Sequence, residues 1–134
     1  MTNKVLEAWY EFASTKNSEL FKNVLADNVC FHSPVVHTPQ VGRDITLLYL
    51  ESAHDVLANS SFSYQRELVG EFDAVLEFNA EVKGILVNGV DMISWNKEGK
   101  ITEFKVMLRP LKAINIIHQE MGARLQAAAG RSAT

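Results

Sequence analysis

One cysteine among 134 residues cannot close an intrachain disulfide, so the fold must rest on its packed core, and Cys30 fits a reducing compartment. No segment gathers lysines and arginines into a basic patch, and 13 basic against 16 acidic residues leave a net charge of -3, which argues against nucleic acid as the main partner. No apolar run approaches the ~20 residues needed to cross a membrane, and the opening MTNKVLEAWYEF is too polar for a signal peptide. Internal repeats, low-complexity tracts and domain linkers are also missing. The expectation is a soluble, cytoplasmic protein without membrane association. Its length, with 47% hydrophobic residues, matches one domain over residues 1–128 and a frayed tail over 129–134.

What is present is organised by the stretch from Phe72 to Arg109. Phe72, Ala74, Leu76, Phe78, Ala80 and Val82 share one parity, with Asp73, Glu77, Asn79, Glu81 and Lys83 on the other. Such alternation predicts a half-buried antiparallel strand. A type II′ turn at Gly84-Ile85, pairing Lys83 with Leu86, keeps the apolar residues of the next strand on the same side. It sets Asp91 opposite Phe78, Ile93 opposite Leu76 and Trp95 opposite Ala74. Asn88-Gly89 is a competing turn, and it leaves Asp91 on the same side. A second turn over Lys97–Lys100, pairing Asn96 with Ile101, brings Thr102, Phe104, Val106 and Leu108 inward and places Asp91 opposite Val106. Parity therefore delivers a lone carboxylate to an apolar sheet face. An acid buried there becomes protonated, finds a partner, or lines a cavity.

The remaining segments read as a cover for that face. An amphipathic helix over Asn3–Ala13 carries Val5, Leu6, Trp9, Tyr10 and Phe12, and Ser18 caps a short second helix. Val29 and Phe31 point inward from a strand over Asn28–Ser33, with Ser33 inward and His32 outward. The loop PVVHTPQV, held extended by two prolines, carries His37. Both histidines lie near the expected cavity mouth, but their spacing is no metal-ligand pattern, and no metal is expected. A third helix runs from Gly42-Arg43-Asp44 to about Ala58 and is apolar around most of its circumference, so it should be covered on most sides. His54 lies on one of its stripes and reads as a core histidine with a satisfied partner. In the strand Phe62–Val69, pairing Leu68 with Ala74 turns Arg66 inward, opposite Leu76 and diagonal to Asp91. Whether the two meet decides whether Asp91 is an ion-pair partner or a neutral acid. Beyond Pro110, Leu111, Ile114, Ile117, Met121 and Leu125, with His118 on the same stripe, predict a helix that packs across the open end of the sheet or onto a partner subunit.

Two helices, a short strand, a covering helix and a four-strand meander describe an α+β cone: a curved antiparallel sheet wrapped around three N-terminal helices, plus a C-terminal helix. That order, together with LADNVCFHSP and GVDMISW followed by EGKITEFKVM, resembles the nuclear transport factor 2-like superfamily, in particular its SnoaL-like branch, over residues 3 to about 110. The resemblance implies a cystatin-like fold. In ketosteroid isomerase, an enzyme of that superfamily, a tyrosine and a protonated aspartate hold an oxyanion and a second aspartate is the base. Matched through DNVCFHSPV the base position falls on Ser33, matched through Gly99 the oxyanion aspartate falls on Asp91, and the tyrosine falls on Tyr10 with one residue missing from the helix turn. SnoaL-type cyclases and limonene epoxide hydrolases call for a carboxylate on the last strand, where FKVMLR has none.

Two functions follow. The first is an enzyme acting by general acid–base chemistry of the isomerase, cyclase or dehydratase kind on an apolar carbonyl or hydroxy compound, without a cofactor. Asp91 and Tyr10 act on the substrate oxygen, and His32 or His37 supplies the base. Its cone is lined by Phe31, Ser33, Phe78, Trp95, Phe104 and Leu108, with Arg66 as a further polar group. The second is a non-catalytic module that binds a small apolar ligand or forms a homodimer through Val90, Met92 and Met107 on the outer sheet face.

Overall fold

A computed structural model describes residues 3–133, with side chains to residue 128. Asn3 accepts the Leu6 N–H at 3.1 Å and caps α1 (Lys4–Thr15), which ends where Lys16 takes up a left-handed conformation. Asn17, not Ser18, caps α2 (Ser18–Lys22). Strand β1 (Leu25–His32) starts three residues earlier than expected, and the extended loop after it contributes a two-residue strand β2 (Gln40–Val41). Helix α3 (Arg43–Leu57) follows, tied down by Arg43–Asp27 at 2.8 Å, and of its residues only Asp44 and Asp55 are exposed. The meander is β3 (Ser63–Val69), β4 (Asp73–Val82), β5 (Ile85–Trp95) and β6 (Ile101–Arg109), and α4 (Leu111–Ala133) closes the described chain. The side chains of the expected tail, and residue 134, lie outside the described residues.

The six strands form one open sheet in the order β2-β1-β6-β5-β4-β3, antiparallel except where β1 runs parallel to β6. Parity holds in its centre. Ala74, Leu76, Phe78, Ala80 and Val82 are buried, as are Val87, Gly89, Asp91, Ile93 and Trp95 opposite them. The β4–β5 turn is Lys83-Gly84, both with positive φ, so the hairpin is of type I′ and Val82 pairs with Ile85. The register is two residues from that of a Gly84-Ile85 turn: Asp91 faces Leu76, and Gly89 faces Phe78. A slip of two preserves the side. On β6 the expected pair of Asp91 with Val106 holds, but an irregularity between Ser94 and Trp95 pairs Trp95 with Ile101, and Ile101 takes the inner place expected for Thr102.

The concave face packs in two clusters. Trp9, Phe12 and Phe21 from the first two helices meet Phe31, Leu50, Leu76, Ile93 and Phe104 in the first. Ala113, Ile117 and Met121 of α4 meet Val56, Phe78, Val82 and Val87 in the second, so α4 lies across the end of the sheet, against α3. Of the expected stripe Ile117 and Met121 pack into this cluster, and Ile114 and Leu125 are half-buried. Leu111 and His118 are exposed, because the helix turns Ala113 and Ile117 to the sheet.

Candidate active site

Asp91 sits in mid-strand and is 6% exposed, at the wall of a cavity of about 100 Å³. Trp9, Phe12, Phe62, Phe78 and Phe104 supply most of the aromatic wall, with Leu50, His54 and Leu57 of α3 opposite. Phe78 can cross the neighbouring strand because Gly89 has no side chain. A Cβ there would stand 2.6 Å from the Phe78 ring, 2.7 Å from Leu108 and 2.8 Å from the Met107 carbonyl oxygen.

A short relay holds the acid. The Trp9 Nε1–H donates to the Tyr64 hydroxyl at 2.8 Å, and that hydroxyl donates to Asp91 Oδ2 at 3.0 Å. Among the described residues Oδ1 accepts no hydrogen bond. Burial pushes the Asp91 carboxyl up to about 7 from its usual 3.8, only partly offset by the Tyr64 hydrogen bond. Burial and the neighbouring Asp91 charge push Tyr64 well above the ordinary phenol range, so it keeps its proton. At neutral pH the site therefore holds an acid poised to give or take a proton beside a phenol that keeps its own.

Tyr10 packs edge-on against Tyr64, ring centroids 5.7 Å apart, and donates its hydroxyl to Glu67. Burial and the Glu67 hydrogen bond raise its pKa. Glu67 occupies the inward row expected for Arg66. A bulge between Tyr64 and Arg66 adds a residue to β3, so Glu67 faces Leu76 while Arg66 turns to the outer face, 71% exposed, 3.5 Å from Glu77. Arg66 and Asp91 do not meet.

Of the expected lining residues, Phe78 and Phe104 border the cavity. Phe31 and Trp95 are packed in the first core cluster, and Leu108 lies over Gly89 and against the α4 cluster. His32, Ser33 and His37 share a different groove with Lys105 and Met107, so Ser33 does not face Asp91. His32 Nε2 lies 3.6 Å from Glu103 and makes no hydrogen bond among the described residues. Tyr64 and Trp9, which hold the acid, are not among the site residues that the sequence pattern singles out. Neither the bulge that installs Glu67 nor the cavity at His54 leaves a signal in the alternation.

This geometry can be set beside known structures. A steroid delta-isomerase from Pseudomonas aeruginosa superposes with a TM-score of 0.88 at 29% identity, over 95% of this chain and 93% of that one. The shape is shared. This is a nuclear transport factor 2-like fold. An uncharacterized bacterial protein with a cystatin-like fold from Silicibacter pomeroyi gives 0.87 at 29% identity, over 96% of this chain and 89% of that one. A nuclear transport factor 2-like protein of unknown function from Cytophaga hutchinsonii gives 0.62 at 17% identity, over 85% and 96%. No protein-family model and no curated protein matches the chain.

Proposed function

We propose that this nuclear transport factor 2-like protein is a small-molecule enzyme that uses Asp91 as a general acid–base group on an apolar carbonyl or hydroxy compound. One observation carries the reading: a carboxyl group buried in an aromatic cavity, with a single hydrogen bond and a proton affinity near neutral. A structural carboxylate is usually satisfied at both oxygens, whereas this one has an oxygen to spare for a ligand. Protonated, Asp91 donates to a substrate oxygen and stabilises charge developing there, while Tyr64 and Trp9 fix its orientation. The likeness to a steroid isomerase supports a proton-shift reaction over the cyclase and dehydratase alternatives. Tyr10, bonded to Glu67, packs behind Tyr64 and is not among the residues that line the cavity. The residues meet this chemistry without a cofactor, and the half-buried lone Cys30 accords with a cytoplasmic setting.

The test is Asp91→Asn against a panel of small ketones and hydroxy compounds. The variant keeps the shape and the Tyr64 hydrogen bond but loses the proton, so turnover should fall by about 10²-fold or more with no loss of melting temperature at pH 7. Full turnover in the variant would overturn the assignment.

A second reading, a non-catalytic binding module that dimerises through the outer sheet face, has its own support. Val90 pairs with Met107 across β5 and β6, Met107 is 51% exposed, and Leu68, Val75 and Met92 continue the apolar row beside them. Light scattering on the wild type and Met107→Lys tests it. A dimer mass that falls to that of the monomer in the variant supports the contact, and a monomeric wild type removes it.

A further inference from the structure

We propose that His54 is the base that completes the Asp91 cavity, taking a proton from the carbon next to the carbonyl of a single-ring ketone whose oxygen Asp91 holds. The inference rests on the acid–base reading above and names its missing partner. Among the described residues, three that line the cavity can exchange a proton with a ligand, namely Asp91, Tyr64 and His54. Tyr64 is committed as a donor to Asp91, and if Asp91 binds the substrate oxygen as an acid, the remaining acceptor is His54.

The ring is set for that role. His54 Nε2 lies 2.9 Å from the Ala13 carbonyl oxygen, which can only accept, so Nε2 carries the proton and Nδ1 of the neutral ring keeps a lone pair. Phe12 stands edge-on to the imidazole at 5.8 Å between centroids and limits its rotation. Two helix ends converge here. Ala13 lies in the last turn of α1 and His54 in the last turn of α3, so the negative poles of both helices stabilise positive charge developing on the ring. The cavity also limits what enters. At about 100 Å³ it is smaller than the ~150 Å³ hollow that admits benzene in a well-studied case. A fused-ring compound therefore does not enter it without opening.

The step balances within these groups. Nδ1 takes the α-proton, the C–H electron pair becomes the C=C of the enol form, and the carbonyl oxygen receives the Asp91 proton or its hydrogen bond. The imidazolium then returns a proton to the same carbon, or to the vinylogous one when a β,γ double bond is present, and the enol oxygen gives its proton back to Asp91 as the carbonyl re-forms.

The experiment uses cyclohexanone in deuterium oxide, with loss of the α-proton signal followed by NMR for the wild type, Asp91→Asn and His54→Gln. The glutamine amide can still donate to Ala13 but cannot take a proton at the Nδ1 position. Protein-dependent exchange should fall about 10²-fold or more in His54→Gln. Binding, read from the Trp9 indole N–H shift, should stay within about twofold. Wild-type exchange in His54→Gln alongside loss in Asp91→Asn would overturn the role of His54 and leave the acid–base reading standing. Undiminished exchange in both variants would overturn both, and no acceleration by the wild type would overturn the ketone assignment. A measurement without mutation guards against a folding defect: the ring nitrogen shifts of wild-type His54 must report the Nε2–H form, and the opposite tautomer sinks the proposal.

Discussion

Asp91 should leave a signature in stability as well as in chemistry. Its carboxyl titrates near 7 in the folded chain and near 3.8 when unfolded. Below about pH 3 both states are protonated and the acid costs nothing. Between about 4 and 7 the unfolded chain releases the proton while the folded one retains it, so stability falls by up to ~1.4 kcal/mol per pH unit, and above 7 the loss levels off at up to about 4 kcal/mol. Asp91→Asn removes this dependence. Denaturant midpoints of the two proteins should nearly coincide at pH 4 and separate by pH 8, with the asparagine variant the more stable; parallel curves would mean that the carboxyl is not buried as described. Tyr64→Phe acts in the other direction, deleting the one hydrogen bond that favours the ionised acid and stranding the Trp9 N–H. A cost of about 1–3 kcal/mol is expected, together with a carboxyl titration, followed by NMR, that moves up from about 7. Thr46 makes a contrasting case. Its hydroxyl is fully buried and makes no hydrogen bond among the described residues, so Thr46→Val should leave thermal stability unchanged or raise it by about 1 kcal/mol.

At the scale of elements, β4 and β5 decide whether the cavity exists. Gly89→Ala drives a methyl into the Phe78 ring and the Met107 backbone, so a loss of about 1–3 kcal/mol is expected in chemical denaturation, with weaker binding of any cavity ligand. Substitution of Arg66 by Ala, by contrast, should move stability by less than about 0.5 kcal/mol, because the bulge in β3 puts that side chain in solvent. These two positions mark what the alternation could reveal. Parity carried Asp91 to the concave face whichever turn closed the hairpin, since both candidate turns, and the Lys83-Gly84 turn that forms, pair even with odd residues. It failed at β3 and at the start of β6, where an extra residue inverts the sides. A bulge has no compositional mark in QRE or ITE, and its gain is tertiary: Glu67 brought to Tyr10, Ile101 brought under Trp95. His54 was legible as a partnered histidine and not as a cavity group, since one hydrogen bond to the α1 end satisfies only one of its two nitrogens.

For the molecule as a whole, α4 is the element whose placement the sequence left between two options, and it lies on its own sheet. The buried Ile117 joins it to Val56, Phe78 and Val87, and Ile117→Ala should cost about 2–5 kcal/mol in equilibrium unfolding. Phe78 has two duties. Its ring is part of the α4 cluster and also part of the wall around Asp91, one strand from the acid and free of its hydrogen bonds. Tyr64 packs against the same cluster and stands edge-on to Phe78, ring centroids 6.4 Å apart. Trimming or bulking the C-terminal helix would therefore shift the floor of the hollow and the tyrosine that holds the acid together, so the reach of the substrate and the poise of the proton are tuned as one.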